Sequence, residues 1–227
     1  MHKSALIVAG GKGVRMTADI PKQFLLLNGT PILIHTLKQF SHFKEIVLVL
    51  PPSQFKYWKK LCVIYNFRQQ HTLVSGGKTR FQSVKNGLER IPDNTIVAIH
   101  DGVRPLISTS LINCLVSKTK KETGVIPIIP VKDSIRKVEE GNSVNIDRSK
   151  LYKVQTPQCF FSNDIKESYA QDYSAVFTDD AAVFEANGGE INTILGEEKN
   201  IKITTKDDLK IAEFIQLNIN LENNSAI

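Results

Sequence analysis

The sequence predicts an α/β fold, with a mostly parallel, doubly wound sheet and a projecting β-arm. Three observations carry this. Apolar runs rich in β-branched residues recur at 4–9, 45–50, 72–75 and 95–99, as buried strands require. Segments with apolar residues at helical spacing separate them, such as Leu33, Leu37 and Phe40, or Phe81, Val84 and Leu88. That alternation marks a sheet covered on both faces by helices. After Pro130 the pattern changes to a short polar alternation that fits a two-stranded arm. A chain of 227 residues suits a single domain over 1–227, and 41% hydrophobic content supplies a sizeable core.

The first run, Ser4-Ala5-Leu6-Ile7-Val8-Ala9, leads straight into Gly10-Gly11-Lys12-Gly13-Val14-Arg15. Glycines there allow a tight turn and a close backbone approach to a ligand. The exposed N–H groups of such a turn can form an anion nest. Arg15, and Lys22 after Pro21, add two cations just beyond it. Triphosphate chemistry uses this combination, because backbone donors hold the oxygens while cations neutralise developing charge. A merely structural turn is the plainer reading of the glycines, and the two cations weigh against it. The spacing is neither G-x-x-x-x-G-K-[ST] nor G-x-G-x-x-G, so this is not a P-loop or a dinucleotide fingerprint.

Further along, Asn28-Gly29 reads as a turn, and Pro31 suits the first turn of a helix. A second strand, 45–50, ends at Pro51-Pro52. Ser53 then reads as the N-cap of a helix reaching about Tyr65, with Trp58 packing inside. The third strand meets Gly76-Gly77-Lys78-Thr79-Arg80, a second glycine-and-base loop. Ser83 follows in the first turns of a helix; its hydroxyl either meets a ligand carried by the loop or bonds its own backbone. The strand at 95–99 ends in His100-Asp101-Gly102-Val103-Arg104-Pro105. Ligands of open α/β sheets bind beyond the carboxyl ends of strands. Asp101 is therefore placed to reach a metal or a substrate hydroxyl, or else to pair locally with Arg104.

A helix over about 109–121 comes next, then residues 125–130, whose two prolines argue against a fully bonded central strand. The polar alternation on both sides of Glu139-Glu140-Gly141-Asn142 predicts an arm over about 133–153. A lone hairpin is marginal in water, so the arm is expected to pack on a second subunit. Residues 152–160 re-enter the main body, and a helix is expected from about Asn163. Thr178 reads as the N-cap of another, with Asp179 and Asp180 favouring its positive end; capping alone accounts for all three. An edge strand over 191–195, a short strand over 200–205 and a last helix opened by Asp207 and Asp208 complete the chain. Its tail is expected to fray from about Asn218.

Composition excludes several classes. The 29 Lys and Arg residues against 23 Asp and Glu give a charge of +6, but they are scattered. No zinc finger, RNA-recognition motif or arginine-rich tail is present, and a small polyanionic substrate accounts for the excess at least as well as nucleic acid. The cysteines, Cys62, Cys114 and Cys159, are odd in number and far apart, which fits reduced structural thiols. No run approaches the roughly eighteen apolar residues of a membrane span. The chain enters a strand pattern at once, with no signal-peptide core. A cytoplasmic protein without a membrane partner is the expectation.

The ordered motifs resemble the 2-C-methyl-D-erythritol 4-phosphate cytidylyltransferase family over nearly the whole chain. They are Ala9-Gly10-Gly11-x-Gly13-x-Arg15-Met16, Pro21-Lys22-Gln23, Gly76-Gly77-x-x-Arg80-x-x-Ser83-Val84 and His100-Asp101-Gly102-Val103-Arg104-Pro105. They continue through Asp147-Arg148, Gln155-Thr156-Pro157-Gln158, Thr178-Asp179-Asp180 and Asn200-Ile201-Lys202. The resemblance implies a Rossmann-like three-layer nucleotidyltransferase fold. It also implies transfer of CMP from CTP to 2-C-methyl-D-erythritol 4-phosphate, with magnesium as the usual cofactor and a homodimer joined through the arm. By the same motifs Arg15, Lys22 and Lys202 would be catalytic. Ala9, Gly10, Gly11, Gly13, Gly76, Gly77 and Ser83 would bind the nucleotide. Asp101, Arg104, Ser134, Arg148, Thr156 and Thr178 would bind the second substrate, with Asp101 also near the metal. Gly10, Gly102 and Ser134 stand where the family more often has Ala, Ala and Thr. The rival reading is ribitol 5-phosphate cytidylyltransferase, which shares the glycine loop and the Gln-Thr-Pro-Gln segment. Asp147-Arg148 and Thr178-Asp179-Asp180 lean toward methylerythritol phosphate. A non-catalytic nucleotide-binding protein would be expected to lack Lys22, Asp101 or Lys202, and all are present.

Overall fold

A computed structural model of the chain describes residues 2–10 and 20–225. Strand β1 (Lys3–Val8) lies inside the main sheet, between two parallel neighbours. A 3-10 turn, Lys22–Phe24, leads to a small hairpin of β2 (Leu26–Leu27) and β3 (Thr30–Pro31), turned by Asn28 and Gly29 at positive φ. Then follow α1 (Ile32–Gln39), β4 (Glu45–Leu50), α2 (Phe55–Ile64), β5 (Thr72–Ser75), α3 (Arg80–Leu88) and β6 (Ile96–Asp101). Helix α4 (Thr109–Lys118) precedes β7 (Thr123–Pro130). Strands β8 (Ile135–Glu139) and β9 (Asn142–Ile146) pair only with each other and make the arm. Strands β10 (Tyr152–Val154) and β11 (Gln158–Phe161), helices α5 (Ser162–Ser168) and α6 (Asp180–Ala186), strand β12 (Glu190–Leu195) and helix α7 (Lys206–Ser225) complete the order.

The three layers follow from alternation along the strands. In β1, Ala5 and Ile7 face one side and pack with Leu33, Leu37, Trp58, Ile112 and Leu115 from α1, α2 and α4. Leu6 and Val8 face the other and pack with Phe81, Val84, Ile165 and Phe184 from α3, α5 and α6. Helix α3 lies so close to the sheet that a Cβ at Gly87 would come 2.4 Å from Leu6 Cδ1. A third cluster, Leu27, Ile32, Val103, Leu106, Ile203 and Ala212, seats α7 and the segment before it.

The sheet runs β10-β7-β11-β6-β1-β4-β5, with β12 also on β7. It is mixed, which corrects the expectation of a mostly parallel sheet. Strands β1, β4, β5 and β6 pair in parallel, as do β12 and β7. Strand β11, however, lies antiparallel between β6 and β7, and β10 is antiparallel to β7. The arm is the reason. It returns the chain to β7 without the crossover that parallel pairing needs, so the return strands run backwards.

Other local expectations also change. Strand β7 is bordered on both sides despite its prolines: Pro127 sits opposite Ile194, and its carbonyl accepts from Gln155 N at 2.9 Å. Helix α2 is entered through a 3-10 turn, Pro52–Gln54, so Ser53 does not cap it. Asp179, not Thr178, caps α6, accepting from Ala182 N at 2.9 Å. Residues 201–204 carry no regular secondary structure and join no sheet, and α7 continues to Ser225 without breaking at Asn218. Among the described residues no helix is long and apolar enough to cross a membrane.

Candidate active site

The carboxyl ends of β1, β5 and β6 open onto one face. A cleft of about 610 Å³ lies there, lined by Ala9, Gly10, Lys22, Gly76, Gly77, Lys78, Arg80, Ser83, Asp101 and Lys202 among others. A smaller cavity of about 270 Å³ adjoins it, lined by Arg80, Asp101, Arg104, Gln155, Thr156, Gln158, Thr178, Asp179 and Lys202, with Val154 at its rim. The two meet at Arg80, Asp101 and Lys202.

The larger cleft is shaped by side chains that hold backbone. Buried Gln23 donates to Ala9 O at 2.9 Å and to Gln54 Oε1 at 2.7 Å, which fixes the turn carrying Lys22 against the end of β1. Ser83 accepts from Gly77 N at 3.0 Å and donates to Thr79 O at 2.9 Å. Its hydroxyl thus bonds backbone, and it also lines the cleft. A Cβ on Gly76 or Gly10 would meet Ser83 Oγ at 3.2 or 3.4 Å, and one on Gly77 would meet Gln82 Cγ at 2.1 Å. Glycine at Gly76 and Gly77 therefore lets this loop pack closely on the first turn of α3. At Gly102 a Cβ would lie 2.8 Å from that of Ala9, so an alanine there requires a shift.

Asp101 ends β6, and its side chain is only 9% exposed. Lys202 Nζ lies 3.0 Å from Oδ2, Arg104 Nε 3.2 Å from Oδ2, and Arg80 Nε 3.9 Å from Oδ1. Burial alone would raise its pKa, but the three cations outweigh it and hold the carboxyl well below the usual range. Lys202 is placed by alternation in the segment before α7. Ile201 and Ile203 turn into the third cluster, Ile203 N donates to Val103 O at 3.0 Å, and Lys202 faces the site. Arg104 also donates to Asn200 O at 2.8 Å.

Beneath Asp101 the chain is locked by His100 and Thr156. Burial lowers the His100 pKa to about 4, so the ring is neutral at pH 7. Its Nε2 bonds a carbonyl, Arg104 O, at 3.0 Å and must carry the hydrogen. Nδ1 then accepts from Thr156 Oγ1 at 2.9 Å, while that oxygen accepts from Asp101 N at 3.1 Å. The Thr156 proton is therefore directed to His100. Gln155 donates to Glu197 O at 2.8 Å, and Asn200 Nδ2 donates to Thr156 O at 2.9 Å. Gln158 reaches Asp179 Oδ2 at 2.8 Å and accepts from Ala181 N at 2.9 Å, which pins α6 beside Thr178.

Lys22, Lys202, Ala9, Gly10, Gly76, Gly77, Ser83, Asp101, Arg104, Thr156 and Thr178 thus gather around the two cavities. Gly11, Gly13 and Arg15 lie outside the described residues. Ser134 and Arg148 are exposed at the base of the arm and line neither cavity; Arg148 donates to Lys132 O. Sequence reasoning missed the site roles of Gln23, Lys78, Arg80 and Gln158, although each sits within or beside a motif it had singled out. Among the described residues the lining cations Lys22, Lys78, Arg80, Arg104 and Lys202 outnumber the carboxylates Asp101 and Asp179. Such a site suits a polyanion in the cleft and a smaller anion beside it. Among the described residues no group of three or more His, Cys, Asp or Glu gathers to hold a metal.

Comparison with known proteins adds a family. The model for 2-C-methyl-D-erythritol 4-phosphate cytidylyltransferase matches residues 4–218. A protein of that name from Azobacteroides pseudotrichonymphae is 48% identical over 93% of this chain and 97% of its own length. One from Phocaeicola vulgatus is 45% identical over 95% of this chain and 100% of its own. The crystal structure of 2-C-methyl-D-erythritol 4-phosphate cytidylyltransferase from Francisella tularensis superimposes with a TM-score of 0.79 at 30% identity, covering 94% of this chain and 99% of that one.

The lock beneath Asp101 predicts a contrast between two substitutions. Thr156→Val removes the hydroxyl at nearly constant volume and leaves Asp101 N–H buried and unpaired, so it costs about 1–3 kcal/mol of stability. Thr156→Ser keeps the hydroxyl and costs less. Urea unfolding midpoints of the two variants check this; equal midpoints would remove the hydroxyl from the account.

Proposed function

The chain belongs to the 2-C-methyl-D-erythritol 4-phosphate cytidylyltransferase family, and from that premise we propose how its own residues carry the reaction. It is a CTP-dependent nucleotidyltransferase that converts CTP and 2-C-methyl-D-erythritol 4-phosphate into 4-CDP-2-C-methyl-D-erythritol and pyrophosphate. The observation that carries the residue assignment is the meeting of two cavities at Arg80, Asp101 and Lys202. CTP takes the larger cleft, against Ala9, Gly10, Gly76, Gly77 and Ser83; Gly11 and Gly13 are assigned to it by the sequence motif alone. The methylerythritol phosphate takes the smaller cavity, with Asp101, Arg104, Thr156 and Thr178 around it.

In the reaction an acceptor phosphate oxygen bonds to the α-phosphorus of CTP, and the bond to the bridging oxygen of pyrophosphate breaks. The attacking phosphate is already anionic near neutral pH, so no general base is required. The barrier lies in bringing two anions together, which positioning and positive charge lower. Lys22 and Arg15 bear on the triphosphate. Lys202 sits where the reacting groups meet; its side chain is 41% exposed, and one ion pair leaves other ammonium protons for phosphate.

Among the described residues Asp101 is the carboxylate that lines both cavities. It is already paired with Lys202, Arg104 and Arg80, so a divalent cation would share it with these groups and take its other ligands from the substrate phosphates. Magnesium is commonly held by one or two carboxylates together with substrate phosphates. Bound there, it would polarise the phosphoryl oxygens.

The arm is read as the dimer contact. Val138 and Val144 on it are 66% and 60% exposed, and an isolated hairpin gains little stability alone. Ser134 and Arg148, outside both cavities of their own chain, then serve the partner's smaller cavity.

Two experiments test this. Pyrophosphate release with CTP and magnesium is measured with 2-C-methyl-D-erythritol 4-phosphate and ribitol 5-phosphate side by side. Turnover is expected with the former, and Lys202→Ala is expected to lose about 3 kcal/mol of transition-state stabilisation, a factor of 10² or more. A preference for ribitol 5-phosphate, or a folded Lys202→Ala at wild-type turnover, would contradict the assignment. In the second, Arg148→Ala and Lys202→Ala chains, each inactive alone, are co-expressed. If the arm reaches across, half of the chains pair unlike with unlike and each such dimer keeps one intact site, restoring about a quarter of wild-type activity. No recovery would return Arg148 to its own subunit.

A further inference from the structure

Arg80 lies between two carboxylates. It opens α3, directly after the loop carrying Gly76 and Gly77. Its guanidinium donates from Nη1 to Asp180 Oδ1 at 2.8 Å and from Nη2 to Oδ2 at 2.6 Å. The remaining donor edge brings Nε to 3.9 Å from Asp101 Oδ1. Asp180 is fully buried, and the Tyr169 hydroxyl donates to its Oδ1 at 2.6 Å. Burial and the Asp180 charge raise the Tyr169 pKa, which keeps that hydroxyl protonated.

The pair joins the two half-sites. Asp180 follows Thr178 and Asp179, which line the smaller cavity, and Arg80 follows the glycine loop of the larger one. Stability alone is a weak reason for such a pair, because desolvating two charges offsets much of their attraction. What the geometry does supply is direction. A bidentate fork on a carboxylate fixes the guanidinium plane, and here it leaves Nε in ion-pair range of Asp101, 3.9 Å from Oδ1, without a hydrogen bond.

We propose that Asp180 and Tyr169 are positioning residues that act through Arg80, orienting the Asp101 carboxylate and setting how the two cavities meet. This rests on the reading of those cavities as donor and acceptor sites. Without the Asp180 charge, the guanidinium turns toward Asp101, its nearest remaining carboxylate. The reacting groups lose alignment, while the backbone that holds CTP is unchanged.

The test uses Asp180→Asn and Tyr169→Phe in the full chain. Asp180→Asn keeps the side-chain shape and removes the charge; Tyr169→Phe removes one hydrogen bond. For Asp180→Asn, kcat is expected to fall tenfold or more with the KM for CTP changed less than threefold, the pattern of lost alignment. For Tyr169→Phe a twofold to fivefold fall in kcat is expected. A tie with only a structural role would lower the unfolding midpoint and leave kcat of the folded protein unchanged. If Asp180→Asn does not fold, Tyr169→Phe decides. The Arg80 Nε–H resonance gives a second readout that needs no reaction, and it should shift in both variants. Wild-type kcat in the folded variants, or an unmoved Nε–H signal, would overturn the proposal. A wild-type protein inactive on CTP and methylerythritol phosphate would instead overturn the functional reading, leaving the resonance to decide this one.

Discussion

The Asp101 carboxylate is the constraint on which the site depends. A nearly buried anion is costly unless it is paired, and Asp101 is paired three ways. Each cation comes from a different part of the chain: Arg80 from the start of α3, Arg104 from just beyond β6, Lys202 from the segment before α7. The central strand delivers the anion, and the anion draws the surrounding elements to one point. Asp101 keeps two cations when any one is lost, whereas losing Arg80 also strips the fully buried Asp180 of its charged partner, and that is where a single substitution is most damaging.

That arrangement also explains why the site remains receptive to anions. Arg80 is matched by Asp180 and Asp101 by its neighbours, and among the described lining residues the cations Lys22, Lys78, Arg80, Arg104 and Lys202 outnumber the carboxylates Asp101 and Asp179. The surplus is what two phosphate-bearing substrates require if they are to lie side by side. The supports beneath are neutral and hydrogen-bonded. Gln23, Gln155, Gln158, His100 and Thr156 each satisfy backbone or side-chain groups without adding charge. Rigidity therefore comes from amides and hydroxyls, and the electrostatics are left to a few ions.

Much of this was legible in the sequence. The strand ends at Val8, Ser75 and Asp101 follow from apolar runs broken by glycine or by a polar group, and those ends are where the cavities open. Asn28-Gly29 turns its hairpin as its residue types favour, and Gly141 does so in the arm, where Glu140 also takes a positive φ that its type does not favour. The antiparallel insertion of β11 was not legible, because a buried strand reads the same in either direction. Strand β7 was obscured by its prolines, which remove one donor each but leave carbonyls free to pair. Thr178 and Asp179 are both good caps, and only the bond from Ala182 N chooses between them. The Arg80–Asp180 pair joins residues 100 positions apart, and nothing local to either one announces it.

The most direct test of this electrostatic account is the ionisation of Asp101 itself. Carbon-13 NMR of its side-chain carboxyl, followed from pH 7 down to about pH 3.5, would cross the ordinary aspartate range. The three cations are predicted to keep it ionised throughout, with no carboxyl protonation shift in that window; a small inflection at about pH 4 belongs to neighbouring His100. A midpoint at or above the ordinary aspartate value would mean that burial outweighs Lys202, Arg80 and Arg104, and would contradict the account.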